Sequence, residues 1–268
     1  MNGGHKVILL EPGPGAECRA MSAALVFSVL ALSTLVTSFI SGILGMAGGM
    51  ILMGVLLALL PLPAAMMLHG ISQFASNGGR AFMLRKEVDW RVFRGYAIGA
   101  AIALSFFAAT HFVVGKAAAM ILMGLTPFVV LALPEKLHLS VERRGHSILC
   151  GLICLTLSLT AGIAGPLLDV FFVRSKMSRH AVVATKALTQ TLSHLIKILY
   201  FGGVMAIQGT EVTPWLAATM VALAFVGTSL SKHVLERMSD ASFRQWTRWT
   251  VMTLGGMYLA SGLRLVLI

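Results

Sequence analysis

The sequence ISGILGMAGG at residues 40–49 interrupts an apolar run that extends from about residue 22 to residue 60 of this 268-residue chain. A similar sequence, LSLTAGIAGP, lies 117 residues later, at 157–166. Glycine inside a helix costs about 1 kcal/mol relative to alanine, and proline breaks the helix interior. Both stretches therefore predict a helix that is interrupted within an apolar region.

A second pair of segments aligns at the same offset without gaps. Residues 69–80, HGISQFASNGGR, coincide with residues 186–197, KALTQTLSHLIK, and the polar positions coincide as well. Two matches at one offset predict an internal duplication, with repeat one at about 22–133 and repeat two at about 147–266.

The composition decides the class of protein. Hydrophobic residues make up 57% of the chain and charged residues only 12%, whereas soluble domains carry about 25% charged residues. Mean hydropathy is +0.86. These values exclude a soluble enzyme, a disordered chain and a disulfide scaffold. We predict an all-α integral membrane protein, a polytopic helix bundle, with a disordered N-terminal tail at 1–21 and a single transmembrane domain at 22–268.

The apolar runs predict ten helical segments, of which the second and the seventh are short. The predicted segments are 22–44, 47–60, 64–84, 92–114, 117–133, 147–165, 167–174, 180–206, 214–234 and 243–266. At 1.5 Å per residue, the short pair falls below the ~30 Å of a bilayer core. Whether these two segments are re-entrant or spanning stays open from the sequence.

Basic residues predict the topology. The chain has 21 Lys and Arg against 10 Asp and Glu, and 14 of the basic residues lie in loops 85–94, 134–146, 174–180 and 231–248. Basic loops face the cytoplasm, so the net charge of +11 indicates membrane orientation and not nucleic-acid binding. All four loops reach one side only if the repeats have inverted topology, each with a broken or re-entrant helix pair followed by three spanning helices. Such repeats are typical of secondary transporters.

The expected partners are the lipid bilayer and a small anion; a homodimer is compatible with the sequence.

Polar residues form matched stripes on the helices at 64–84 and 180–206. His69, Gln73, Asn77 and Arg80 fall within about 80° on one helix, and Lys186, Gln190, His194 and Lys197 have the same spacing on the other. Charged residues at membrane depth are costly, so the stripes predict a polar pathway inside the bundle. The alternative is that Arg80, Lys186 and Lys197 extend toward the membrane surface.

The two breaks predict an anion site. The N-terminus of a helix carries partial positive charge and unpaired N–H groups. Gly48 and Gly49 in one break, and Gly165 and Pro166 in the other, are candidates to line it, while Asp169 and His69 are candidates for coupling or proton uptake. On this view alanine at Gly48 or Gly165 weakens transport while stability is kept; the alternative is that the glycines only permit close helix packing.

The glycine-rich break GILGMAGGMIL, its partner AGIAGPLL, the polar helices and the repeat resemble the sulfite exporter TauE/SafE family over about residues 25–266. Ala47 and Pro166 stand where family members typically have glycine, and Gly54 stands near the usual place of a proline. The resemblance implies a bacterial inner-membrane permease that moves sulfite, sulfonates or related sulfur anions, usually outward.

The sequence contains no recognised catalytic signature, metal-ligand set or cofactor motif. An anion permease is therefore favoured over two alternatives. One is a membrane-embedded enzyme that uses His69, His194 and Asp169, and the other is a non-transporting membrane subunit.

Overall fold

The structure of the chain, a computed structural model, describes residues 6–7, 16–44, 46–134, 139–235 and 240–267. All ten predicted helical segments are present in this part of the chain. They are α1 Ala16–Leu44, α2 Ala47–Leu59, α3 Leu62–Met83, α4 Trp90–Thr110, α5 Lys116–Ala132, α6 His146–Thr160, α7 Gly165–Phe172, α8 Arg179–Ile207, α9 Pro214–Leu235 and α10 Asp240–Leu267.

The second break lies earlier than the sequence predicts. Helix α6 ends at Thr160 instead of residue 165, because Gly162 adopts a left-handed conformation with φ of 81° that a helix cannot continue. Gly165 is then the first residue of α7, and Pro166 is the second, where no N–H is needed for helical hydrogen bonding. The break is therefore the segment 161–164.

Two other predicted boundaries differ. Helix α4 ends at Thr110 rather than at residue 114, since His111 takes a left-handed conformation with φ of 49°. Helix α10 begins at Asp240 instead of residue 243, and it contains Arg244 and Arg248, which were also counted with the basic loop 231–248.

The N-terminal segment is described in two pieces. Within the predicted tail, α1 begins at Ala16, and strand β1 at Lys6–Val7 pairs in parallel with strand β2 at Thr210–Glu211. The rest of the predicted tail, residues 1–5 and 8–15, lies outside the described residues.

Helix length and composition identify a multi-pass membrane protein. Four apolar segments are long enough to cross a bilayer: Ala24–Ile43, Trp90–Thr110, Pro214–Ser231 and Gln245–Leu267. Their large apolar side chains include exposed ones such as Leu32, Phe106 and Leu230, as expected for surfaces that face lipid. Helices α2 and α7, with 13 and 8 residues, are too short to cross.

The bundle is organised by pairs of closely packed helices. Helix α3 packs against α8, α1 against α9, α4 against α6, and α5 against α10. Glycines permit the close approach: a Cβ at Gly99 of α4 would overlap the Ile148 carbonyl oxygen of α6, and one at Gly151 of α6 would overlap the Tyr96 carbonyl oxygen of α4. Most of α2 is buried in the core beside α3.

Three of the predicted basic loops lie at the same end of the bundle, which we call the basic end. Arg91, Arg143 and Arg144 line one cavity of about 220 Å³. The backbone N–H of Lys176 donates to Glu142 Oε2 at 2.6 Å, which joins the loop after α7 to the loop before α6. The N–H of Val141 donates to the carbonyl oxygen of Phe171 at 3.0 Å. Helix α6 therefore begins, and α7 ends, at the basic end.

Candidate functional site

The centre of the bundle contains a fully buried lysine. Lys197 of α8 has 0% of its surface exposed. Its Nζ donates to the carbonyl oxygen of Gly162 at 2.8 Å and lies 3.1 Å from Nδ1 of His69. Neither of these contacts is a carboxylate. Burying a cation costs several kcal/mol unless a counter-charge compensates it, so this site favours binding of an anion.

His69 extends the hydrogen bonding of Lys197 to the other break. Its Nε2 lies 3.0 Å from the carbonyl oxygen of Gly49, which can only accept. With Nε2 donating to Gly49, Nδ1 is left to accept from Lys197. The chain of hydrogen bonds thus connects α2, α3, α8 and the break after α6. Neither Gly162 nor Gly49 was predicted to act through its carbonyl, because a backbone acceptor leaves no mark in the side-chain pattern.

His194 and Gln73 complete the central cluster, which we define as Gly49, His69, Gln73, His194 and Lys197. The rings of His69 and His194 are 5.6 Å apart and meet edge to face. Nδ1 of His194 is buried, and no described residue forms a hydrogen bond with it. A buried polar atom without a partner is costly. The cluster therefore contains both a charge and a polar atom that a bound anion with a hydroxyl or water could satisfy.

The two short helices begin beside each other. Helix α2 follows Met46 and α7 follows Ala164, and neither N-terminus has a side-chain cap. The first backbone hydrogen bonds are Met50 to Met46 and Leu168 to Ala164, so the preceding amides have no intrahelical acceptor. A Cβ at Gly165 would lie 2.7 Å from Cβ of Met46, which brings the two breaks into contact. Two positive helix ends thus meet near the central cluster.

A cavity of about 590 Å³ runs from this junction between α5, α7, α8 and α10. Met46 and Pro166 lie at the junction, while Leu131, Val173 and Arg248 lie where these helices approach the basic end. Lys186 and Asp169 line the cavity and form an ion pair. The carboxylate of Asp169 thus pairs with Lys186 and not with Lys197. The cavity therefore has its own cations, separate from Lys197.

The predicted stripes do not converge on one point. Gly70 of α3 lies beside Ile198 of α8, and Gly78 lies beside Thr191, so the two helices are antiparallel. At this register His69 and Lys197 lie at one level along the helix axes, and Arg80 and Lys186 lie at another. These two levels are about 16 Å apart at 1.5 Å per residue.

Of the remaining stripe residues, Asn77 and Gln190 lie between these levels, and Arg80 lies at the outer one. Asn77 is buried, and its Nδ2 donates to the carbonyl oxygen of Gln73 in the same helix at 2.9 Å. Gln190 and Arg80 are half-buried. Only the inner ends of the stripes, with Gln73 and His194, belong to the central cluster. The other residues form a polar track toward the basic end.

Gly48 has a packing role. A Cβ there would overlap the carbonyl oxygen of Thr37 and lie 2.7 Å from Cβ of Ser41, both on α1. The expectation that alanine at Gly48 leaves stability unchanged is therefore wrong. Gly49 differs, because its Cβ would make an ordinary contact of 3.4 Å with the side chain of Gln73.

The adjacent glycines provide a matched test. We expect Gly48→Ala to destabilise the protein by about 1–3 kcal/mol, since backbone atoms of α1 must move. Gly49→Ala should keep or raise stability, because alanine favours the helix by about 1 kcal/mol. Thermal unfolding of the purified variants in detergent measures both effects. Equal melting temperatures for the two variants would contradict the close contact between α1 and α2.

The comparisons with known proteins agree with the membrane architecture. A family model described as sulfite exporter TauE/SafE matches residues 30–258, which is nearly the whole chain. No match was found among curated proteins or among solved structures. The family is one of membrane permeases, and the ten helices, two breaks and four bilayer-length segments belong to the matched region or extend just beyond it. The chain is therefore a member of the sulfite exporter TauE/SafE family.

Proposed function

We propose that this protein is a secondary permease that exports small sulfur-containing anions, sulfite and sulfonates among them, across the bacterial inner membrane. The observation that carries the proposal is Lys197, a buried cation whose described hydrogen bonds go to a histidine ring and a carbonyl oxygen. A transported anion is the counter-charge that the described contacts of Lys197 do not supply. Family membership supports the choice of a transporter over an enzyme.

The proposed architecture is a pair of inverted-topology repeats. Helix packing supports it, because the packed pairs of one repeat recur when each helix is replaced by its equivalent in the other repeat. Helices α1 and α6 are equivalent, as are α4 and α9, and the packing of α1 against α9 corresponds to that of α6 against α4. Likewise α2 against α10 becomes α7 against α5, while α3 against α8 is unchanged. Equivalent helices α3 and α8 run in opposite directions, as inverted repeats require. In this architecture α6 and α7 form a re-entrant pair, which enters and leaves at the basic end.

The positive-inside rule assigns the basic end to the cytoplasm. We therefore expect a cysteine in place of Lys86, in loop 85–94, to be protected in intact cells from a membrane-impermeant thiol reagent. A cysteine in place of Gln208, at the other end, should be labelled. Both substitutions belong in a chain whose three native cysteines are replaced, and permeabilised cells provide the control for reactivity. Labelling of position 86 in intact cells would contradict the inverted arrangement.

The anion site is proposed at the junction of the two breaks. The N-termini of α2 and α7, which include Gly48 and Gly49 and Gly165 and Pro166, supply partial positive charge to the anion. Lys197, His194 and Gln73 supply side-chain donors. Pro166 has no N–H, so α7 offers the amides of Gly165 and Leu167.

The polar track provides a path between this site and the cytoplasm. Arg80, Asn77, Gln190 and Lys186 lie on α3 and α8 between the central cluster and the basic end. The large cavity also extends toward that end. A path on the cytoplasmic side supports loading from the cytoplasm, and hence export.

Two groups are suited to couple anion movement to protons. Asp169 neutralises Lys186, and an anion that binds Lys186 competes for the same charge. His69 joins Lys197 to Gly49, so protonation of its ring would break the acceptor role of Nδ1. We propose these residues for coupling, with Asp169 on the cavity side and His69 in the central cluster.

Substitution of Lys197 tests the proposed site. We expect Lys197→Met to lower sulfite transport in proteoliposomes at least tenfold, because methionine fills similar space but removes a charge-assisted hydrogen bond worth about 1.5–3 kcal/mol. Lys197→Arg should restore little, since a planar guanidinium does not replace a compact ammonium. Lys176→Met, on an exposed loop, is the matched control.

Folding of each variant is checked by thermal unfolding and by elution of a single species in detergent. Transport at the wild-type rate by a folded Lys197→Met variant would overturn the proposed anion site.

A further inference from the structure

A second cavity, of about 220 Å³, lies at the basic end between the starts of α4 and α6. Its wall is mostly polar, unlike the wall of the large cavity. Three arginines line it: Arg91 from the first turn of α4, and Arg143 and Arg144 from the connection before α6. The volume is below the range of sites for drug-sized ligands, about 300–1,000 Å³, so the cavity suits a small charged group.

The two carboxylates of the cavity wall are already engaged by backbone amides. Oδ1 of Asp89 accepts from the N–H groups of Arg91 and Val92, at 2.9 and 3.0 Å, and thereby caps α4. Oε2 of Glu142 accepts from the N–H of Lys176 at 2.6 Å. The charges of the three arginines and these two carboxylates leave the wall with one net positive charge.

Two of the arginines have donors to offer a ligand. Arg91 and Arg144 are exposed, and their guanidinium groups form no hydrogen bond or ion pair within the part of the chain that the structure describes. A guanidinium group presents a planar fork of N–H donors that matches two oxygens of a phosphate group. A phosphate between these two arginines would connect the start of α4 to the start of α6.

Helix α6 adds backbone donors to the same cavity. Its N-cap is Gly145, which has no side chain to cap the helix, and both Gly145 and Ser147 line the cavity. The first helical hydrogen bond runs from the N–H of Leu149 to the carbonyl oxygen of Gly145. The amides of Ser147 and Ile148 therefore have no intrahelical acceptor, and such amides are donors that phosphate oxygens accept from.

The cavity lies at one end of a bilayer-length segment. Arg91 is the second residue of the segment Trp90–Thr110, and Trp90 itself is exposed. Tryptophan is enriched where the hydrocarbon core of the bilayer meets the lipid headgroups. A ligand in the cavity would therefore lie at the level of the headgroup phosphates, where basic side chains attract anionic lipids.

We propose that the cavity lined by Arg91, Arg143 and Arg144 binds a phosphate group with net negative charge, supplied by an anionic lipid headgroup or by phosphate in solution. Arg91 and Arg144 hold the phosphate oxygens, and the amides at the start of α6 complete the site. The bound phosphate fixes the start of α6 against α4 and so stabilises the fold. This proposal concerns binding at the membrane surface and does not rest on the proposed permease function.

Thermal unfolding of the purified full-length protein in detergent tests the site. The probes are dioctanoyl phosphatidylglycerol, which is anionic, dioctanoyl phosphatidylcholine, which has the same tails but no net charge, and inorganic phosphate at constant ionic strength. We expect an anionic phosphate probe at saturation to raise the melting temperature by at least about 3 °C. Phosphatidylcholine should leave the melting temperature unchanged.

The two anionic probes identify the source of the phosphate. Stabilisation by phosphatidylglycerol alone assigns the site to a lipid headgroup, and stabilisation by inorganic phosphate alone assigns it to phosphate in solution. Stabilisation by both shows that either source fills the site. An equal increase with phosphatidylcholine and phosphatidylglycerol, or no increase with either anionic probe, would overturn the proposal.

Two double variants place the effect in the cavity. Arg91→Gln with Arg144→Gln removes two exposed guanidinium groups from the cavity wall and should abolish the increase in melting temperature. Lys86→Gln with Arg179→Gln removes two exposed cations from the neighbouring basic loops, outside the wall, and should keep the increase. Equal loss in both double variants would show that the general positive charge of this end attracts the anion, and would overturn the assignment.

Lys197→Met separates this cavity from the central anion site. Inorganic phosphate is also a candidate ligand for Lys197, and this variant removes the central charge while the cavity at the basic end stays intact. We expect Lys197→Met to keep the full increase in melting temperature. If the increase is lost in Lys197→Met and kept in the Arg91→Gln, Arg144→Gln variant, the anion binds in the central cluster and the second site is wrong. Failure of sulfite transport, by contrast, leaves the phosphate site in place.

Discussion

The burial of Lys197 is the interaction on which the centre of this protein depends. A lysine at the middle of a membrane bundle is tolerated only if its ammonium group finds acceptors, and here these are the carbonyl oxygen of Gly162 and the ring of His69. The carbonyl of Gly162 is accessible because its left-handed conformation ends α6. The break in the helix and the buried cation therefore require each other.

This requirement ties the two halves of the chain together. His69 belongs to the first half and donates to Gly49 at the start of α2, while Lys197 and Gly162 belong to the second half. The contact between Gly165 and Met46 brings the starts of α7 and α2 together. Two helix ends and a lysine, all positive, are held in one place without a carboxylate among the described contacts of Lys197. Such an arrangement attracts anions, and we therefore propose that the transported ion binds there.

The sequence was sufficient to predict the helices because apolar length, glycine and proline are local signals. The repeat offset aligned the rare polar residues of α3 and α8, and the structure brings His69, His194 and Lys197 of these stripes together. It could not predict that His69 meets Lys197 while Arg80 lies at another level, because the register of α3 against α8 depends on contacts such as Gly70 with Ile198. Arg248 was counted only among the basic residues of loop 231–248, so its place in the wall of the large cavity was missed. The packing role of Gly48 depends on its distance from Thr37, which no pattern of residues specifies.

Histidine side-chain ¹⁵N spectra of the purified protein, recorded with and without sulfite, test the central claim most directly. His69 and His194 report on the central cluster, whereas the exposed His111 and His180 provide internal controls. Variants that lack one histidine each assign the signals. We expect sulfite to shift the ring nitrogen signals of His69 and His194 and to leave those of His111 and His180 in place. Sulfite transport by the same preparation with unchanged His69 and His194 signals would show that the anion binds elsewhere, and would contradict the account.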